Sequence, residues 1–96
     1  MKPVKFSPKA QEKLDNLLDY LESEWGEGVK QKFIDVLDQS IAKISNFPES
    51  CPSSKKKPKI YKCVVTYRCV LFYRIQNNMI EVTAVLDTRQ DRNEYE

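Results

Sequence analysis

Between Ile60 and Leu86 the chain carries three runs rich in β-branched and aromatic residues, Ile-Tyr-Lys-Cys-Val-Val-Thr, Cys-Val-Leu-Phe-Tyr-Arg-Ile and Met-Ile-Glu-Val-Thr-Ala-Val-Leu. They are cut by Tyr67-Arg68 and by Gln76-Asn77-Asn78, which is the pattern of an antiparallel meander. In the third run Ile80, Val82, Ala84 and Leu86 alternate with Glu81, Thr83, Val85 and Asp87, so period-two geometry predicts the even positions on the core face. In the second run, placing Arg74 in water sends Cys69, Leu71, Tyr73 and Ile75 inward and leaves Val70 and Phe72 beside the arginine. Val70 and Phe72, with Val64 and Val85 on neighbouring strands, are therefore expected to form an apolar stripe on the uncovered sheet face, the kind of patch that marks an interface.

Upstream, Val4 to Phe6 is a short alternating piece that reads as an edge strand. Ser7-Pro8 follows, an N-cap acceptor before a proline at the first helical position. Ala10, Leu14, Leu17, Leu18, Leu21 and Trp25 then recur at three- and four-residue steps, predicting an amphipathic helix that stops near Trp25 at Gly26 and Gly28, the only two glycines. Val29, Phe33, Val36, Leu37, Ile41, Ile44 and Phe47 mark a second helix, ended by Asn46-Phe47-Pro48. So short a link makes the two helices antiparallel neighbours, and both stripes read as core packing. From Pro48 to Lys59 the chain turns to Pro, Ser and Lys, an exposed, mobile, basic loop. The predicted fold class is α+β, in the order β-α-α-β-β-β, with an N-terminal edge strand and a helix hairpin on one face of an antiparallel sheet.

Ninety-six residues make one domain, residues 1–96, with room for one two-layer core and none for a deep cleft with a cofactor module. The formal charge is +2, unevenly placed: residues 1–48 carry 7 Lys/Arg against 8 Asp/Glu, and residues 49–96 carry 9 against 6. That asymmetry permits an acidic partner without requiring one. Cys51, Cys63 and Cys69 form no Cys-x-x-Cys pair and there is no histidine, so they read as reduced thiols, with no metal or cofactor expected. With no signal-peptide-like or membrane-spanning run, the chain reads as cytoplasmic with no membrane partner.

The absence of histidine, of Gly-x-Ser-x-Gly and of a phosphate-gripping glycine loop removes most hydrolase and nucleotide-binding readings. Arginine, lysine and tyrosine remain. Lys62, Arg68, Arg74, Arg89 and Arg92 lie on or beside the predicted sheet, with Tyr67 and Tyr95 near in sequence, a set suited to bidentate anion contacts. Arg89, directly after the last strand, is expected at the rim of the open face, close enough to Arg74 to share one anionic ligand.

The order of these elements resembles the RelE/ParE superfamily of toxins from type II toxin–antitoxin systems over essentially the whole chain. The resemblance rests on Phe6-Ser7-Pro8-Lys9-Ala10, Ile44-Ser45-Asn46-Phe47-Pro48, Phe72-Tyr73-Arg74-Ile75 and Val85-Leu86-Asp87-Thr88-Arg89-Gln90-Asp91. The long helical hairpin is closer to ParE-like members. It implies a plasmid-stabilisation type toxin that binds a macromolecular target such as DNA gyrase through Arg89, Arg74, Arg92 and Arg68. A cognate antitoxin would neutralise it through Val64, Val70, Phe72 and Val85 in a toxin–antitoxin hetero-oligomer. The alternative is a RelE-like ribosome-dependent mRNA endoribonuclease using Arg89, Tyr95 and Lys62, or a non-toxic relic acting only as a binding partner. The RelE-like set is incomplete here, because Val70 and Val64 stand where the resemblance places cations, and each preorganised charge at a reacting phosphate is worth about 3 kcal/mol.

Overall fold

The computed structural model describes residues 1–91, with Gln90 and Asp91 described by their backbone alone. The elements are β1 (Val4–Phe6), α1 (Pro8–Trp25), α2 (Glu27–Asn46), β2 (Tyr61–Thr66), β3 (Cys69–Gln76), β4 (Met79–Asp87) and the short α3 (Thr88–Asp91). Ser7 caps α1 as its sequence predicts: it is extended, and its hydroxyl accepts the Ala10 N–H at 3.1 Å, satisfying one of the free donors of the first turn. Gly26, at φ +92°, is the whole link between the helices. Space does not demand glycine there, since nothing lies within 4 Å of an added Cβ; the backbone conformation does. Asn77 and Asn78 take φ of 52° and 62° in the two-residue turn between β3 and β4, the left-handed pair that matches the twist of a tight hairpin.

The sheet has the order β1-β4-β3-β2. The meander β2-β3-β4 is antiparallel, but β1 lies parallel to β4, Val4 opposite Ile80 and Phe6 opposite Val82, so the sheet is mixed where an antiparallel one was expected. β4 returns in the direction of β1, and the two meet as the parallel edge. Helix α1 rests on β4 and α2 on β2. The core between the layers holds Leu14, Leu17 and Leu21 of α1, Phe33, Leu37 and Ile44 of α2, and Cys69, Leu71 and Tyr73 of β3.

Two expectations change here. The alternation on β4 breaks at a bulge: Tyr73 is opposite Val82 and Phe72 opposite Ala84, so Thr83 is an extra residue. Ile80 and Val82 face the helices as predicted, but beyond Thr83 the parity inverts. Val85 turns inward into the main core and Ala84 and Leu86 turn outward, which removes Val85 from the outer stripe. The helical stripes also do not pack along their whole length. No residue between Leu21 and Phe33 is buried, so the hairpin tip runs past the sheet and leaves Trp25 and Val29 exposed; Val36 and Phe47 are exposed too.

The loop after α2 is anchored at one end. Cys51 and Ser54 are buried, Ser53 bridges to Tyr61, and the Lys62 N–H donates to the Pro52 carbonyl at 2.8 Å, whereas Lys55, Lys56, Lys57 and Lys59 are exposed. All three cysteines are free and buried. Burial, with a bond to Cys51, pushes the Cys63 thiol from 9.0 up to about 12, and burial beside the Asp87 carboxylate pushes Cys69 to about 12 as well. A thiol that keeps its proton longer when folded contributes stability below the unfolded value and loses it as pH climbs through 9 toward 12. The urea midpoint is therefore expected to fall steadily above pH 9, less steeply in Cys69→Ala; equal slopes in parent and variant would contradict this. In the native state at pH 8 all three thiols should react with a disulfide reagent far more slowly than after unfolding.

Candidate functional site

The bulge at Thr83 decides where the arginines go. With parity inverted, Asp87 is opposite Cys69 and faces the helices, its side chain only 3% exposed. A carboxylate taken that far from water needs partners. Arg89, two residues on in α3, supplies both: its backbone N–H donates to Asp87 Oδ1 at 3.0 Å and its guanidinium donates to Oδ2 at 2.8 Å. The same guanidinium lies 3.8 Å from the ring centroid of Tyr20 on α1, within cation–π range. Held from one side by a carboxylate and from below by an aromatic face, Arg89 keeps 33% of its side chain in solvent.

The β2–β3 turn brings a second arginine to this corner. Thr88 clamps it, its N–H donating to the Arg68 carbonyl at 3.0 Å and its hydroxyl to the Tyr67 carbonyl at 2.8 Å. Arg68 Nε donates to the Tyr67 hydroxyl at 3.1 Å. That bond raises the Arg68 guanidinium above its ordinary value, with a smaller contribution from Tyr20. Tyr20 thus offers its ring to Arg89 and adds to the electrostatic environment of Arg68, and Thr88 ties the turn that carries Arg68 to the start of α3, so the two cations share one corner.

Of the residues expected in the target site, the structure brings together Arg89 and Arg68. Arg74 is elsewhere. It sits opposite Glu81, with which it makes an ion pair at 2.7 Å, six positions along β4 from Asp87 and so roughly 20 Å away at the rise of a strand. Arg89 and Arg74 cannot share one ligand, and Arg89 lies on the helix side, not at the rim of the outer face. Lys62 is opposite Phe72 on the outer face, across the sheet from the Arg89 guanidinium. Arg92 and Tyr95 lie outside the described residues.

The outer face carries Val64 opposite Val70, Val70 opposite Leu86, and Phe72 opposite Ala84. Val70, Phe72 and Leu86 form a second buried cluster with Ile60 and Ala84 packed against it, so the stripe is a small core in its own right. Val64, on the outer strand β2, is 61% exposed and is the accessible member. Val85 belongs to the other face. Sequence reasoning missed Tyr20, and it allowed for Asp87 only as a partner pairing with Arg89 at the surface: the pair forms, but on a buried carboxylate. Tyr20 sits between Leu17 and Leu21 and reads as part of a helix surface, and Asp87 reads as solvated until the bulge is known.

A helix pair lies over a mixed four-stranded sheet with β1 parallel to β4, and a cationic corner follows the last strand. Residues 4–92 match the family described as the ParE toxin of type II toxin–antitoxin systems, parDE, and the chain belongs to that family. The structure is similar to a chain of the chromosomal ParDE system from P. aeruginosa, with a TM-score of 0.74 at 13% identity over 91% of this chain and 96% of that one. It is similar to the YoeB dimer from Staphylococcus aureus, with a TM-score of 0.58 at 16% identity over 86% and 92% of the two chains. It is also similar to the YoeB–YefM complex from that organism, with a TM-score of 0.59 at 15% identity over 90% and 95%. At such identities these likenesses show the fold. No curated protein matches the sequence significantly. Among the described residues no helix is long and apolar enough to cross a membrane, and no cluster of His, Cys, Asp or Glu could hold a metal ion.

Proposed function

We propose that this ParE-family toxin arrests growth in the cytoplasm by binding DNA gyrase through the corner built by Arg89 and Arg68, without cutting nucleic acid itself. The family match over residues 4–92 carries the reading. The site supports it in two ways. Arg89 is fixed by Asp87 and Tyr20 with its outer edge in solvent, an arrangement suited to a carboxylate or phosphate on a partner. A ribonuclease set would need Arg89 and Lys62 at one phosphate, and they lie on opposite sides of the sheet. A cognate antitoxin neutralises the toxin over the outer face, with Val64 as the exposed contact and Val70 and Phe72 as the floor beneath it.

Expression from a tightly controlled promoter tests this. The expected result is growth arrest with induction of the DNA-damage response and intact transcripts. Transcript cleavage without a damage response would assign the protein to the ribonuclease reading, and normal growth would make it a relic. For the antitoxin face, Val64→Asp should weaken antitoxin binding by about tenfold or more, since it places a charge in an apolar contact, while leaving the fold intact because the side chain is exposed. Phe72→Asp is the poorer probe: Phe72 is buried, and a charge there unfolds the cluster.

A further inference from the structure

Two of the three buried thiols meet at the foot of the lysine loop. Ser53 pairs with Tyr61 in an antiparallel bridge, flanked by the Ser54 N–H donating to the Ile60 carbonyl at 2.6 Å and the Lys62 N–H donating to the Pro52 carbonyl at 2.8 Å. With the bonds on either side of it, Ser53–Tyr61 is a non-hydrogen-bonded pair, and the same register carried two residues along sets Cys51 opposite Cys63 in a second pair of that kind. The Cα atoms of such a pair lie about 4.5 Å apart with their side chains close, inside the span that a disulfide bridges. The side chains agree with the register. The Cys63 thiol donates a hydrogen bond to the Cys51 sulfur, and both residues belong to the main core, Cys51 at 6% exposure and Cys63 at 2%.

Cys69 cannot take the place of Cys51. Cys63 is opposite Leu71, and Cys69 stands two positions from Leu71 on the same inner face. Diagonal neighbours of that kind hold their Cβ atoms about 7 Å apart, against the roughly 4 Å that a disulfide requires. The odd set of cysteines therefore resolves into one pair and one single thiol.

We propose that Cys51 and Cys63 are an internal disulfide site, oxidised by a low-molecular-weight disulfide of the glutathione class to give a covalent latch between the lysine loop and β2. Cys51 is the point of entry, because it lies in the loop outside any strand and is the more exposed of the two. Its thiolate attacks one sulfur of the reagent; that S–S bond breaks, a Cys51–glutathione bond forms, and one glutathione thiolate leaves. Cys63 then gives up its proton and attacks the Cys51 sulfur, expelling the second glutathione as a thiol. The protein loses two electrons and two protons, and one disulfide reagent becomes two thiols. Burial slows the first step, in keeping with the slow native reactivity expected of all three thiols, and it shelters the product from reduction. The ring closed over residues 51–63 contains Lys55, Lys56, Lys57 and Lys59 and removes freedom from the unfolded chain, so the melting temperature should rise by roughly 5–10 °C. The inference rests on this cluster alone and holds whichever target the toxin has.

Peptide mapping of the full chain tests it. After native incubation with glutathione disulfide and alkylation in denaturant, the map should show a Cys51–Cys63 cross-link with the alkyl group on Cys69, and dithiothreitol should return all three thiols to alkylation. The oxidised chain should stay monomeric and melt roughly 5–10 °C above the reduced one. Cys51→Ser and Cys63→Ser should gain no stability from the same treatment, whereas Cys69→Ala should gain as much as the parent; the map of the parent decides the case where a variant does not fold. A Cys63–Cys69 linkage, a persistent glutathione adduct on Cys51 or a cross-linked dimer would overturn the proposal. So would three unmodified thiols after prolonged treatment, a cross-link that forms only in urea, or a cross-linked chain that melts no higher than the reduced one.

Discussion

Arg89→Ala is expected to abolish growth arrest. A truncated arginine at the centre of an interface typically costs about 2 kcal/mol or more, roughly thirtyfold in affinity. The substitution also has a folded-state cost that the sequence does not reveal. It leaves the Asp87 carboxylate buried with one backbone N–H as its remaining described donor, a loss of about 1–3 kcal/mol, at the lower end for a broken buried pair because the arginine is partly exposed. Toxicity and stability are separated by a second change. Asp87→Asn combined with Arg89→Ala removes the orphaned charge, so the double variant should recover much of the thermal stability lost by Arg89→Ala and none of the toxicity. Arg89→Lys keeps the charge but not the planar fork that bonds Asp87 and lies on Tyr20, so it should retain partial activity. Restored growth arrest in the double variant would show that Arg89→Ala acts through unfolding and remove Arg89 from the site.

The largest effect on folding is expected at Tyr73. Its ring is fully buried and lies 5.3 Å from the Tyr61 ring with 23° between the planes. Its hydroxyl donates to the Pro48 carbonyl at 2.6 Å, tying the chain just after α2 to the middle of the sheet. Burial raises the phenol well above its ordinary value, so it remains a donor throughout the neutral range. Tyr73→Ala removes a large core side chain and should cost about 3–5 kcal/mol. Since the total for a domain is about 5–15 kcal/mol, that variant should be substantially unfolded at modest urea concentrations. Tyr73→Phe keeps the ring and loses one hydrogen bond, about 1–1.5 kcal/mol. Urea denaturation of the three proteins checks the ranking; a Tyr73→Phe loss as large as that of Tyr73→Ala would mean that the hydroxyl, not the ring, holds the core.

These two residues also mark what the chain's own pattern reveals. Tyr73 was legible as a core position, because the alternation of β3 is unbroken from Cys69 to Ile75. The helix starts at Ser7-Pro8 and the Gly26 link were legible for the same reason: capping and left-handed backbone geometry are local, and their residues stand next to one another. The direction in which Asp87 and Arg89 point was not. A single bulge inverts every position after it, and the Ser7 N–H that donates to the Val82 carbonyl beside the bulge comes from 75 residues earlier in the chain. The stripe of Trp25, Val29 and Val36 misled for a related reason. Helical periodicity shows which face is apolar, but not how far the opposing sheet extends, and here the sheet ends before the hairpin does. Tyr20 became a site residue only once α1 was seated on β4.

The Arg89 corner is proposed to act on gyrase without any cutting by the chain itself. The most direct measurement is DNA supercoiling by purified gyrase with ATP in the presence of the toxin, run beside translating ribosomes loaded with a reporter mRNA. The toxin should inhibit supercoiling in proportion to its concentration, Arg89→Ala should fail to do so at the same concentrations, and the mRNA should stay intact with both. Unimpaired supercoiling together with cleavage of the ribosome-bound mRNA would contradict the account.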